Sequence, residues 1–290
     1  MAKLKHWAQA TRPKTLAASI APVLLGGAMA LADGHFRWHL VLVALICAVL
    51  IQIITNYINE IYDYKKGADT RDRIGPQRIV AAGIVTPRQM RNVAAVLVLI
   101  TFLLGLILVA EGGWPILLAG VLALLFAWAY TGGPYPLAYL GVADIFVLIF
   151  FGLVAVCGTY YVTAGHLTRE VIIAAMAPGL LSMNVLGVAN IRDIETDRAA
   201  GKITLAVRLG PRWSRQLYTA LTLLAFTVNG LLYGLSKDPW MLLPLAALGY
   251  AYRINRNLYR AQGRELIATL AATGKLLLLH SILMGVGFLL

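Results

Sequence analysis

The chain has 290 residues, 60% of them hydrophobic and only 13% charged, with a formal net charge of +12. That balance excludes an ordinary soluble domain and fits a chain that crosses a membrane several times. The bases are dispersed over short loops instead of forming one face, which argues for membrane orientation and against nucleic acid as a partner.

Runs apolar enough to cross roughly 30 Å of hydrocarbon are read at residues 16–31, 40–62, 93–109, 115–130, 145–163, 171–191, 217–235, 240–252 and 266–290. The eighth is short. With nine spans, the amino terminus and the loops after spans two, four, six and eight share one side, and they hold 21 of the 25 Lys and Arg. The other side holds Arg37, Arg169 and Lys237, and Lys275 falls inside span nine. The positive-inside rule therefore places the amino terminus and those four loops in the cytoplasm. All six Trp lie near span ends, as an interfacial belt requires. Cys47 and Cys157 sit inside apolar spans with neither disulfide nor metal spacing. No cleavable leader is expected, because no small-residue cleavage site followed by a soluble chain succeeds the first apolar run. The expected fold is an all-α integral membrane bundle of nine helices, forming one domain over 1–290.

Two acidic clusters close spans at matching places in the two halves: Asn56-Tyr57-Ile58-Asn59-Glu60-Ile61-Tyr62-Asp63 and Asn190-Ile191-Arg192-Asp193-Ile194-Glu195-Thr196-Asp197. Carboxylates at a membrane boundary are costly unless something cationic satisfies them, so they mark a site. At 100° per residue, Asn56, Asn59, Glu60 and Asp63 fall within about a 100° arc, as do Asn190, Asp193 and Asp197. Glu195 falls outside it. Hard-oxygen stripes of this kind suit Mg²⁺, which takes one or two carboxylates plus phosphate oxygens. Lys65, Lys66, Arg71, Arg73 and Arg78 follow the first cluster, and Arg198 and Lys202 the second. Such cations suit a diphosphate. A cation transporter is the rival reading, but transporters place their acids near the midplane between broken helices, not at span ends among bases.

The pattern resembles the UbiA superfamily of intramembrane prenyltransferases. The resemblance lies in Asn59-Glu60-Ile61-Tyr62-Asp63 and Asp193-Ile194-Glu195-Thr196-Asp197. Four further stretches are similar to the subgroup that acts on 1,4-dihydroxy-2-naphthoate in menaquinone biosynthesis: Arg12-Pro13-Lys14-Thr15-Leu16; Asp63-Tyr64-Lys65-Lys66-Gly67-Ala68-Asp69 with Gly75-Pro76-Gln77-Arg78; Tyr130-Thr131-Gly132-Gly133-Pro134 on to Gly141 and Asp144; and residues 190–210. The family's first motif usually has Asp where this chain has Glu60, and Ala189 stands where the subgroup often has Asn.

The resemblance implies a Mg²⁺-dependent transfer of a polyprenyl group from an isoprenyl diphosphate to 1,4-dihydroxy-2-naphthoate, releasing CO₂ and diphosphate. An alternative is another aromatic acceptor such as 4-hydroxybenzoate. It implies metal ligation by Glu60, Asp63, Asp69, Asp193 and Asp197, with Asp63, Asp193 and Asp197 central to catalysis. It implies substrate contacts from Asn56, Asn59, Asn190, Lys65, Arg78, Arg198 and Lys202. It places the protein in the cell inner membrane with both motifs cytoplasmic and the prenyl tail in a channel open to lipid. Arg12 and Lys14 would bind the acceptor carboxylate or fix topology. Tyr139 and Asp144 would orient or deprotonate a phenol, or serve as an interfacial aromatic and a helix start. Lys275 would reach the diphosphate or snorkel. His280, Asn184 and Asn229 are read as packing or interhelical hydrogen bonds.

Overall fold

The computed structural model describes residues 4–69, 74–75 and 77–290. Of the residues named above, Arg71, Arg73 and Pro76 lie outside the described residues. Helix α1 (Leu4–Ala10) leads through a 3₁₀ turn, Pro13–Thr15, into α2 (Ala17–Ala32) and α3 (Trp38–Lys65). There follow α4 (Pro87–Ala129), the short α5 (Leu137–Leu140), and α6 (Ala143–Leu148). A π-helical stretch, Ile149–Val154, joins α6 to α7 (Ala155–Ala164). The remainder is α8 (Arg169–Arg192), α9 (Ile194–Ala199), α10 (Leu205–Ser236), a 3₁₀ stretch Pro239–Ala247, α11 (Leu248–Arg260) and α12 (Leu266–Leu289). Among the described residues there is no strand.

Caps fix where the long helices begin. The Thr86 hydroxyl accepts from the Gln89 amide and the Gln89 side chain returns the bond, a capping box ahead of α4. Thr168 and Thr204 cap α8 and α10 through the amides of Val171 and Val207. Packing is centred on α8, whose Ala174, Ala175, Ala177 and Leu181 are fully buried against α2, α10 and α12. Small residues allow the closest approaches. A Cβ on Gly152 would stand 2.8 Å from the Ala175 carbonyl, and one on Gly179 3.0 Å from that of Leu148. A second apolar cluster joins α1, the end of α3 and the start of α4 through Ala10, Ile54, Tyr57, Ile61 and Met90, with Ile79 and Val80 from the loop between α3 and α4.

Six helices are long and apolar enough to cross a membrane, and a seventh if Leu4–Thr15 and Ala17–Ala32, bent by 59°, form one span. Length and composition of the helices thus stop short of nine. Two features account for the difference. Spans three and four run together in the 43 residues of α4, interrupted at Gly113, whose φ of 67° and ψ of −156° no helix contains. The eighth run folds partly as 3₁₀ helix, Pro239–Ala247, and continues into α11, whose outward Tyr252, Arg253, Arg256 and Tyr259 are exposed.

Candidate active site

The last two turns of α3 carry the first acidic cluster, and Asn56, Asn59, Glu60 and Asp63 are all buried there. Asp63 is the hub. Tyr139 donates its O–H to Asp63 Oδ1 at 3.0 Å. Arg78 Nη2 stands 3.3 Å from Asp63 Oδ2, and Lys202 Nζ 3.9 Å from the same oxygen. Lys202 also lies 3.6 Å from Asp197 Oδ1, so one ammonium ties the two halves of the chain together. Arg78 Nε reaches Asp69 Oδ1 at 3.3 Å, and the whole guanidinium is buried. Three carboxylates and two cations in so little water are held by mutual charge.

Glu60 engages the backbone of the loop between α3 and α4. Its Oε2 accepts from the backbone N–H groups of Ile79 and Val80, at 3.0 and 3.3 Å. Its Oε1 is 4.0 Å from Arg78. The side chain fastens the loop that carries Arg78 onto α3, and the extra methylene relative to Asp provides the reach.

The second cluster does not form one helical stripe. Helix α8 ends at Arg192, and Asp193, with φ of −100° and ψ of 11°, separates it from α9. The Asp197 amide still donates to the Asp193 carbonyl at 2.8 Å, which keeps the two acids one turn apart. Arg192 grips Asp193 with two bonds of 2.7 and 2.6 Å. Asn190 points elsewhere, into a pocket of about 20 Å³ shared with Asp144, Asn184 and Tyr218. One Asp144 oxygen is buried there without a hydrogen-bond partner.

Tyr139 is held as a donor, not a base. Burial first, then the Asp63 charge and the hydrogen bond to it, push its phenol well above the ordinary 10. Lys66 covers its ring 4.0 Å from the centroid and donates to the Thr131 carbonyl at 3.4 Å. Lys66 and Thr131 thus belong to the site, although sequence alone marks them only as a loop cation and part of a motif. Several expected contacts are not brought in. Arg198 is exposed and pairs with Glu195 at 3.4 Å. Lys65 is exposed 5.5 Å from the Tyr62 ring. Lys14 and Lys275 are exposed and do not line the cavity described next.

Beside the acids opens a cavity of about 330 Å³ between α2, α3, α4 and α7. Arg12, Asn56, Asn59 and Tyr130 line its polar end, and Phe102, Phe126, Phe146 and Phe150 its apolar walls. The Asn59 Oδ1 is buried there without a hydrogen-bond partner. Such an orphaned acceptor fits a cation or donor brought by a ligand. Among the described residues, no three His, Cys, Asp or Glu converge closely enough to hold an ion by themselves. Asp63, Asp69, Asp193 and Asp197 offer carboxylate oxygens, the donor type that Mg²⁺ takes together with phosphate oxygens.

Comparison with known proteins bears on the family and the fold. The model of the UbiA prenyltransferase family matches residues 19–283. A 1,4-dihydroxy-2-naphthoate octaprenyltransferase from Mycobacterium tuberculosis is 37% identical over 283 residues, covering 97% of this chain and 96% of the relative. One from Escherichia coli is 39% identical over 227 residues, 76% of this chain and 74% of the relative. Among solved structures, a UbiA homolog from Archaeoglobus fulgidus bound to GPP and Mg²⁺ superposes with a TM-score of 0.68 over 96% of this chain and 99% of that one. Its sequence identity is 13%, so this likeness speaks for the fold alone.

Proposed function

The chain belongs to the UbiA prenyltransferase family, and on that premise we propose that it transfers a polyprenyl group from an isoprenyl diphosphate to 1,4-dihydroxy-2-naphthoate, releasing CO₂ and diphosphate in menaquinone biosynthesis. The observation that carries the reading is the joining of both acidic segments by Lys202, with Arg78 between Asp63 and Asp69. Asp63 lies one turn of α3 from Asn59, which stands at the polar end of a cavity with apolar walls. Such a cluster suits a diphosphate, and such walls suit a prenyl tail.

Arg78 and Lys202 would offer the diphosphate charge-assisted hydrogen bonds. Asp63, Asp69, Asp193 and Asp197 would hold Mg²⁺, whose chemistry there would be Lewis-acid stabilisation of the departing diphosphate. Lys66, Lys202 and the Tyr139 hydroxyl would add preorganised positive potential at the same place. The allylic C–O bond then breaks with its electrons going to diphosphate. The aromatic walls exclude water from the cation that remains. Arg12, at the polar end, would hold the acceptor carboxylate so that the electron-rich ring attacks that carbon. Loss of CO₂ restores aromaticity. Purified protein given a prenyl diphosphate, Mg²⁺ and either 1,4-dihydroxy-2-naphthoate or 4-hydroxybenzoate should prenylate the naphthoate with loss of CO₂, read by mass spectrometry. Preferential prenylation of the benzoate would overturn the acceptor assignment.

The same reading includes nine spans in the cell inner membrane with the amino terminus and both acidic motifs cytoplasmic. At 1.5 Å per residue α4 measures about 65 Å, roughly twice the hydrocarbon thickness, so the Gly113 break followed by Pro115 supports a turn between two spans. Pro239–Ala247 with α11 would supply the eighth span and α12 the ninth. A reporter fused after Leu290 should report from outside, and one inserted at Gly201 from the cytoplasm. Finding both on one side would remove a span.

A further inference from the structure

We infer that Asn56 is a positioning residue that acts through Arg12 on the aromatic acceptor, and that it is not a metal ligand. The inference deepens the proposed function and rests on the reading that Arg12 holds the acceptor carboxylate.

Arg12 has a left-handed backbone, φ 53° and ψ 66°, and stands immediately before Pro13. A bulky residue rarely adopts that conformation, and a following proline biases it towards extended backbone. Strain of this kind persists only where the surroundings over-determine it. Here they do. The Asn56 amide donates to the Thr11 carbonyl at 2.9 Å, across 45 residues of sequence. Thr15 closes the turn from the other side, its amide and hydroxyl both 2.9 Å from the Arg12 carbonyl. Tyr57, next to Asn56, secures α1 one turn earlier: its hydroxyl lies 3.4 Å from the Trp7 carbonyl and its ring packs edge-on against Trp7 at 5.5 Å. Ala10 is buried between these two fastenings. Two adjacent side chains of α3 therefore hold the segment that ends in Arg12, and Arg12 lines the cavity beside Asn59 and Tyr130. The Asn56 NH₂ is committed to the turn, and its side chain is buried. The neighbouring Asn59, with its buried unpartnered oxygen, is the amide left to face a ligand.

Affinity for 1-hydroxy-2-naphthoate, a carboxylate probe, is measured on purified protein without Mg²⁺ or donor, alongside the Mg²⁺ and prenyl diphosphate half-saturation in turnover. Arg12→Ala should weaken the probe by more than about tenfold and Asn56→Ala by about tenfold at most, the scale of losing one hydrogen bond. The double variant should be no weaker than Arg12→Ala alone, the signature of residues acting as one unit. Asn56→Asp keeps the size and a metal-binding oxygen but loses the amide donor, and should behave like Asn56→Ala. Unchanged Mg²⁺ and donor half-saturation in both Asn56 variants shows that the site remains folded. Additive losses, a raised Mg²⁺ half-saturation, or normal probe affinity in Asn56→Ala would overturn the inference while leaving the proposed function standing. Normal probe affinity in Arg12→Ala would overturn the acceptor role of Arg12 and this inference with it.

Discussion

Asp63→Asn is expected to lower turnover by about 100-fold or more while leaving the protein folded in the membrane. Asp63 is fully buried and is touched by Arg78, Tyr139 and Lys202 at once. Asn keeps the shape but removes the charge that orients all three and that would meet the metal. Each 1.36 kcal/mol of lost transition-state stabilisation is tenfold in rate, so the loss of two charge-assisted contacts suffices. Glu195→Gln is the internal control. Its carboxylate is exposed and pairs with the exposed Arg198, so its rate should stay within about twofold, as surface pairs contribute about 0–1 kcal/mol. Near-normal turnover in Asp63→Asn would sink the site, and a severe loss in Glu195→Gln would show that α9 faces the other way.

Arg78→Ala should be the most destabilising single change at this site. The guanidinium is buried among Asp63, Asp69 and Glu60. Removing one partner of a buried ionic group leaves uncompensated charge, at a cost of about 3–5 kcal/mol. The loop fastened by Glu60 to the Ile79 and Val80 amides should loosen at the same time. Unfolding of the detergent-solubilised protein, followed by heat or denaturant, should therefore shift strongly. Arg78→Lys keeps the charge but reaches fewer acids at once, and should fall between wild type and Arg78→Ala. An Arg78→Ala protein as stable as wild type would mean that the acids do not depend on this cation.

The sequence made some of this visible and hid the rest for identifiable reasons. Apolar runs mark α3, α8, α10 and α12 well because lipid imposes length and hydrophobicity directly. The same rule separates runs three and four but does not show what lies between them, since Gly113 and Pro115 read alike as a loop or as a break within the stretch Pro87–Ala129. The stripe at the end of α3 was legible because the helix there is regular. The second was not, because the three- and four-residue spacing of Asn190, Asp193 and Asp197 looks the same whether α8 continues or stops at Asp193. Lys202 follows Asp197 closely and could be suspected from its position. The bond of Glu60 to Ile79 and Val80, and that of Asn56 to Thr11, join segments far apart in sequence, and no local pattern announces them. Lys275 shows a further limit: a charge inside an apolar run reads alike as reaching the diphosphate or as snorkelling, and its side chain lies on an exposed face of α12.

The central claim is that the two acidic segments act together on a metal-bound diphosphate. Binding of an unreactive prenyl thiodiphosphate to the purified protein tests it most directly, with Mg²⁺ or with chelator, in wild type and in Asp197→Asn. Tight binding should require Mg²⁺ and should weaken at least about tenfold in Asp197→Asn, the scale of one charge-assisted contact. Binding that is equally tight in chelator, or indifferent to Asp197, would contradict the account.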